Sequence, residues 1–217
     1  SFLLTAAFVR EGPDLVLVGS DGTTVVIRDY LAADAPPVLL TEGGARIDAE
    51  LAEALAGPAA PGEYAQAASG ELDQPIGQVD TVAGEVTATR LDGTEVVLTE
   101  GGAIFQGDVI NTGIDAAIGV VFVDDSTFSL GADARMVLDE LIFDPSTGDG
   151  RSAFSVVQGV FSFVSGEIAK AGPDAMVVNT PVVSIGIRGT HVAGVAAQEG
   201  DRNTVTLLED DGVVGEI

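Results

Sequence analysis

The residues that could carry out chemistry are few in this sequence. Cysteine is absent and histidine occurs once, as His191, so thiolate nucleophiles, disulfides and cysteine metal sites are excluded within it. A general base at His191 would need a positioned partner, and a metal bound there would need carboxylates as its other ligands. No Gly-x-Ser-x-Gly elbow lies between a predicted strand and a predicted helix. We therefore predict that the chain is not an enzyme, with no catalytic residues and no resident cofactor.

Glycines around the histidine, in "GIRGTHVAG", are spaced somewhat like those of a phosphate-binding loop. Such a loop works only where a helix begins, because the helix amides and dipole then meet the phosphate. The residues that follow predict β structure instead. We interpret Gly186 and Gly189 as turn glycines.

Acidic loops are the remaining candidates for ligand binding. The segment "FDPSTGDG" places Asp144 and Asp149 in one loop, and Asp124 and Asp125 lie in another. Calcium takes several oxygen ligands from such loops, but neither an EF-hand loop nor a glycine-aspartate nonapeptide is present. The sequence favours solvated turn aspartates. Weak calcium binding stays open as an alternative, with the metal ligands unknown.

The charge of the chain restricts its partners. It carries 34 acidic and 9 basic residues, for a net charge of −25. Nucleic acid and anionic membrane surfaces are therefore disfavoured. No apolar run approaches the roughly 18 residues of a membrane span, so we expect no transmembrane segment.

The first 57 residues predict a small β-rich domain with one helix. "DLVLVGSDGTTVVIRDYL" predicts two strands around a Ser20-Asp21-Gly22 turn. "IDAELAEALAG" predicts a helix near 48–56, with Asp48 as N-cap and Gly57 past its end. Ile47, Leu51 and Leu55 are spaced to form one face that covers a sheet. Residues 58–75 predict a linker, or alternatively an ordered loop anchored by Tyr64.

From residue 76 to 217 short strands and turns predict a β domain. "SAFSVVQGVFSFVSGEI" divides into two apolar runs at Gly159, whereas "ARMVLDEL" suits either a helix or a strand. The stretch LTEGG, at 40–44 and again at 98–102, predicts a strand end followed by a glycine turn in both places. The fold class is all-β, with a short-stranded sandwich or a β-solenoid as the architecture. Seven residues are predicted to be buried: Phe105, Val120, Phe122, Phe128, Leu130, Phe161 and Phe163.

Residues 76 to about 195 resemble the FecR domain. The resemblance rests on "GEVTATRLDGTEVVLTEGGAIFQGDVINTG", "VVQGVFSFVSGEI" and "MVVNTPVVSIGIRGTHVAGV", in this order. It implies a β-rich core without catalytic residues, found in periplasmic signalling regulators and in non-signalling domains of large surface and secreted proteins. Gly107, Gly113, Gly186 and Gly189 are expected at turns or where strands approach closely.

The first block, "GPDLVLVGSDGTTVVIRDYL", resembles the prefix of large biofilm-type adhesins that are exported without a classical signal peptide. Regulators carry a short cytoplasmic segment and a spanning helix before the β domain, and neither is visible here. The leading hypothesis is a non-catalytic secreted or cell-surface structural or adhesion protein, as the retention or assembly region of a longer chain. Its expected partners are other protein chains, copies of itself and outer-membrane export machinery. The alternatives are a periplasmic FecR-type sensory or regulatory domain and a subunit of an extracellular filament or lattice.

Overall fold

The structure is a computed structural model that describes residues 2–41, 43–57, 74–172, 174–189, 191–197 and 202–208. Strands make up 51% of the described residues and helices 10%, which confirms the predicted all-β class. Residues 58–73 of the predicted linker, including Tyr64, lie outside the described ranges.

The N-terminal block, residues 2–57, consists of a small sheet, a short hairpin and two helices. Its elements are α1 (Phe2–Thr5), β1 (Ala7–Glu11), β2 (Asp14–Val18), β3 (Thr24–Ile27), β4 (Leu39–Leu40), β5 (Arg46–Ile47) and α2 (Ala49–Ala56). The predicted hairpin is β2–β3, and its turn is closed by the Thr23 N–H, which donates to Asp21 Oδ1 at 2.9 Å. The sequence prediction missed β1, which adds a third antiparallel strand beside β2.

Helix α2 forms where the sequence predicts it. The Asp48 side chain accepts from the Leu51 N–H at 2.9 Å, and Gly57 ends the helix with φ +71°. The predicted apolar face is shifted, because Ile47 lies in β5 before the cap. Leu51 is only half-buried, while Ala52 and Leu55 are buried. The helix packs against β1 and against the strand Arg135–Asp144 of the larger sheet. It therefore covers a sheet, as expected.

The second part of the chain is one sheet of thirteen strands. They are β6 (Gly77–Ala83), β7 (Val86–Thr89), β8 (Glu95–Val97), β9 (Ala103–Ile104), β10 (Val109–Thr112), β11 (Ala117–Phe122), β12 (Thr127–Leu130), β13 (Arg135–Asp144), β14 (Asp149–Val164), β15 (Met176–Asn179), β16 (Ser184–Ile187), β17 (His191–Ala196) and β18 (Thr204–Leu208). A four-residue helix, α3 (Ile168–Ala171), follows β14. All strand pairs are antiparallel except β14 with β15. The ambiguous segment "ARMVLDEL" is thus a strand.

Strand β14 bends the sheet into two layers. Its first part pairs with β13 and β15, and its last six residues pair with β12 and β17. The change of pairing partners along β14 falls at Gly159. This residue has φ +105°, and a Cβ added there would overlap Ala134. The two apolar runs predicted here are therefore one strand with a glycine corner, as in sheets that turn onto themselves. Antiparallel pairing around this corner fits a sandwich rather than a solenoid.

The two copies of LTEGG both end a strand and enter a glycine turn, as predicted. The first joins β4 to β5 through Gly44, which has φ +87°. The second joins β8 to β9, which lie at opposite ends of the main strand order. Its backbone forms hydrogen bonds with a strand of each layer. The Leu98 N–H donates to Val86 O on β7, and the Gly101 N–H donates to Val79 O on β6. The second copy therefore ties the open ends of the sheet together.

The core of the sheet confirms six of the seven predicted buried residues. Phe128 stacks on Phe161 and Phe163, with ring centroids 6.2 and 5.5 Å away. The prediction for Phe105 is wrong, because it lies just past the two-residue strand β9 and remains half-buried. Its ring packs against the Arg90 guanidinium, whose Cζ lies 4.6 Å from the ring centroid.

The N-terminal block completes its core on the large sheet. Its buried residues cluster with Val109, Val137 and Val157, which belong to β10, β13 and β14. The Arg135 guanidinium also donates from Nη1 to Ala6 O at 3.1 Å. The two parts thus share an interface, which we call the joint. The domain boundaries at 57 and 76 stay a prediction.

Candidate functional site

One exposed apolar feature at this joint is the turn between β15 and β16, which we call the valine turn (residues 180–183). The Thr180 N–H donates to Val183 O at 2.8 Å, and the Val183 N–H donates to Thr180 Oγ1 at 3.1 Å. Because Thr180 closes the turn on itself, the backbone groups at its ends are satisfied internally. Val182 and Val183 are nevertheless 45% and 43% exposed. The turn presents two apolar side chains to solvent.

The valine turn is held against the N-terminal block. Pro181 is buried, and its carbonyl oxygen accepts from the Arg46 N–H at 2.7 Å. Arg46 lies in β5, directly before the α2 cap. The position of the turn therefore depends on both parts of the chain.

Beside the turn lies a groove of about 520 Å³, which we call the acidic cleft. It is defined by Asp48 and Glu50 on the helix side and by Asp139 on β13, with Ser155 and Asn179 between them. Asp139 sits at an irregularity where the pairing of β13 with β14 skips between Val137 and Glu140. Such bulges redirect a side chain out of the regular alternation.

Asp139 has an unusual electrostatic environment. Its pKa is raised to about 7, chiefly by burial and to a smaller extent by the Glu50 and Asp48 carboxylates, while a hydrogen bond with Ser155 opposes the change. Its Oδ2 is buried without a hydrogen-bond partner. A protonated carboxyl is a donor, whereas the ionised form attracts a cation. Asp139 was missed by the sequence prediction, and the only signal was an acidic pair within the apolar "MVLDEL".

The first predicted acidic loop is partly structural. Asp124 is buried, with only 1% exposed, and accepts from the Ser126 hydroxyl and from the N–H of Ile168. Its carbonyl oxygen accepts from the Glu167 N–H at 2.8 Å. The interpretation of Asp124 as a solvated turn residue is therefore wrong, because it fixes the start of α3. Its neighbour Asp125 is exposed, with φ +64°.

The second acidic loop is solvated as predicted. Asp144 and Asp149 are exposed and face each other at the end of the β13–β14 hairpin. Asp144 accepts from the hydroxyl and the N–H of Ser146, which lower its pKa. Within the described ranges, no three histidine or acidic side chains come together to hold a metal ion. The calcium alternative thus has no site located in this part of the chain.

The histidine and the glycines lie in sheet and turn positions. His191 begins β17, half-buried, opposite Val164 and Leu208. Gly107 has φ +82° and Gly189 φ +61°, and the Gly113 N–H donates to Glu85 O at 3.0 Å. Gly186 lies inside β16, where an added Cβ would approach Asp174 to 3.1 Å. The interpretation as turn or close-approach glycines holds for Gly107, Gly113 and Gly189, whereas the interpretation of Gly186 as a turn glycine is wrong, because it is paired within β16.

The comparison with known families locates one domain in the chain. The model of the FecR protein family matches residues 108–212, so a FecR domain is present there. The matched range begins and ends later in the chain than residues 76 to about 195, for which the sequence analysis states the resemblance. It contains β10 to β18, and with them Asp139 and the valine turn. No curated protein and no solved structure matches the chain, and nothing in these comparisons supports an adhesin-like first block.

Among the helices of the described ranges, none is long and apolar enough to cross a membrane.

Proposed function

We propose that the chain is a non-catalytic regulatory domain of the bacterial cell envelope, of the periplasmic sensory type, which binds a partner protein at the valine turn. The observation that carries this proposal is the FecR domain at residues 108–212, because FecR domains occur in periplasmic sensory and regulatory proteins. The family match favours this reading over the adhesin hypothesis. The same domain contributes the two exposed valines and Asp139.

The partner is a protein with apolar and basic groups side by side. Val182 and Val183 offer an apolar contact that is already ordered, so little conformational entropy is lost on binding. Asp48, Glu50 and the ionised form of Asp139 attract basic side chains into the acidic cleft. The net charge of −25 steers a basic partner toward the whole chain and speeds association.

The extracellular structural hypothesis remains the alternative, because one sheet edge of the N-terminal block is exposed. Val25 and Val26 on the edge strand β3 are 41% and 49% exposed. Such an edge can pair with a strand from another copy, as a filament or adhesin would require. On this hypothesis the chain acts outside the cell by self-association.

A deletion separates the two functions. Residues 108–208 are removed from the chromosomal gene of the organism that encodes the chain, and transcript abundance and surface attachment are measured in the same cultures. A regulatory domain gives a defined set of changed transcripts that is restored by the intact gene. Unchanged transcription together with lost attachment would contradict the proposal and support the structural alternative.

A further inference from the structure

A second cleft at the joint gathers three arginines, although the whole chain has only nine basic residues. We call it the arginine cleft and define it by Arg10 on β1, Arg90 after β7 and Arg135 on β13. Its volume is about 590 Å³. This is within the range of roughly 300–1,000 Å³ that is typical of small-molecule sites. Three of the nine basic residues therefore line one cleft, together with the acidic residues Glu50, Glu53 and Asp92.

Among the described residues, only one of the three guanidinium groups is paired with a carboxylate. Arg90 pairs with the buried carboxylate of Asp108 and donates from Nη2 to Ala103 O at 3.1 Å. Arg10 donates from Nε to Gly57 O at 3.1 Å, at the end of α2. The charge of Arg90 is thus balanced, whereas the hydrogen bond of Arg10 goes to a neutral carbonyl.

Arg135 has no counter-ion among the residues that the structure describes. It is mostly buried, and burial lowers its pKa. Nη1 donates to Ala6 O, but the buried Nε has no acceptor. Within the described residues no carboxylate oxygen lies within 4.0 Å of this guanidinium. A buried cation without an anion is costly, so the environment of Arg135 is electrostatically incomplete.

The acidic groups that line the same cleft do not fill this role. Glu50 and Glu53 are exposed on α2. Asp92 is exposed and engaged with the Thr94 N–H at 2.8 Å. These groups limit the negative charge that the cleft tolerates, which favours a ligand with a single anionic group.

We propose that the arginine cleft binds a small molecule through one oxyanion, a carboxylate or a phosphate, placed against Arg135 and Arg10. Both groups match the planar donor fork of a guanidinium. The site lies apart from the valine turn, so the inference does not depend on the protein partner. Because the cleft is built from β1, α2 and β13, a bound anion also strengthens the contact between the N-terminal block and the sheet.

The test is an NMR titration of the whole ¹⁵N-labelled chain. Inorganic phosphate and acetate are added in separate experiments, each against sodium chloride of matched ionic strength. The Nε–H resonance of Arg135 is assigned by its absence in Arg135→Gln. We expect the chemical shift of this resonance to change saturably with phosphate or with acetate, and by more than with chloride. The anion that produces this change identifies the chemical class of the ligand. If neither phosphate nor acetate shifts the resonance by more than chloride does, the proposal is overturned.

Two variants control the titration. Arg10→Gln retains Arg135 and should weaken the saturable response at least several-fold. Arg151→Gln removes an exposed arginine that is paired with Glu140, and it should leave the response unchanged. If Arg135→Gln does not fold, Arg135→Lys, which also lacks this Nε–H group, supplies the assignment, and these two variants still decide. An equal response in Arg10→Gln and Arg151→Gln would contradict a site between Arg10 and Arg135.

Discussion

Arg46 and Pro181, which lie on opposite sides of the predicted linker, are joined by a backbone hydrogen bond of 2.7 Å. Arg46 belongs to the N-terminal block and Pro181 to the valine turn of the FecR domain. The bond places the exposed valines beside the acidic cleft. Any event that shifts the block on the sheet therefore also shifts the surface that we propose for partner binding.

Asp139→Asn should change how stability depends on pH. The folded state raises the pKa of Asp139 from 3.8 to about 7, so it holds the proton more tightly than the unfolded chain does. The stabilisation is complete below pH 3.8 and is lost as pH rises through about 7. At pH 8 the variant should be more stable than wild type, by on the order of 2–4 kcal/mol.

This prediction is checked by urea unfolding from pH 4 to pH 8. The charged groups that face Asp139 are Asp48 and Glu50 on the helix side and Arg46 on β5. Asp149→Asn, at the exposed hairpin end, serves as the control. A difference between Asp139→Asn and wild type that stays constant with pH would show that Asp139 does not titrate in this range.

Gly159→Ala should strongly destabilise the sheet. The new Cβ would overlap Ala134, and φ +105° is unfavourable for any residue with a side chain. We expect a loss on the order of 3 kcal/mol in the free energy of unfolding. Gly148→Ala is the matched control, because Gly148 also has a positive φ but nothing lies within 4 Å of its added Cβ. Equal losses in both variants would mean that the overlap with Ala134 adds no cost beyond that of the positive φ.

Phe161→Ala should cost more than Phe105→Ala. Phe161 is 1% exposed and stacks on Phe128. Its truncation leaves a cavity and should lower the free energy of unfolding by about 3–5 kcal/mol. Phe105 is half-buried and mainly contacts Arg90, so its loss is smaller. Chemical denaturation of both variants measures the difference. An unchanged melting temperature for Phe161→Ala would contradict the assigned core.

Calcium should act on the chain as a screening ion. The charge of −25 creates repulsion that either calcium or sodium relieves, and the described residues contain no cluster of metal ligands. We therefore expect similar rises in melting temperature with millimolar calcium and with sodium chloride of matched ionic strength. A rise with calcium alone would reveal a specific site.

Local signals made part of the fold predictable. Asp48 and Gly57 mark the ends of α2 through short-range capping, and the glycines of LTEGG fix both turns through their backbone freedom. These features depend on residues a few positions apart. They could be recognised without any tertiary structure.

The candidate sites could not be predicted in the same way. Asp139 is redirected by an irregularity in the pairing of β13 with β14, and its pKa depends on a helix some ninety residues earlier. Arg10 and Arg135 line the same cleft only because the N-terminal block packs on the sheet. The corner at Gly159 likewise depends on Ala134, in a different part of the chain. Long-range packing decides all three.

The central claim is tested most directly by transcript abundance in a strain with Val182→Asp and Val183→Asp in the chromosomal gene. The matched control strain carries Val25→Asp and Val26→Asp, which alter an equally exposed valine pair on β3. Because both pairs are exposed, both variants should fold, and melting of the purified chains confirms it. The account predicts that the first strain reproduces the transcript changes of the deletion strain while the control matches wild type. Wild-type transcripts in the Val182 and Val183 variant, with the deletion still changing them, would contradict partner binding at the valine turn.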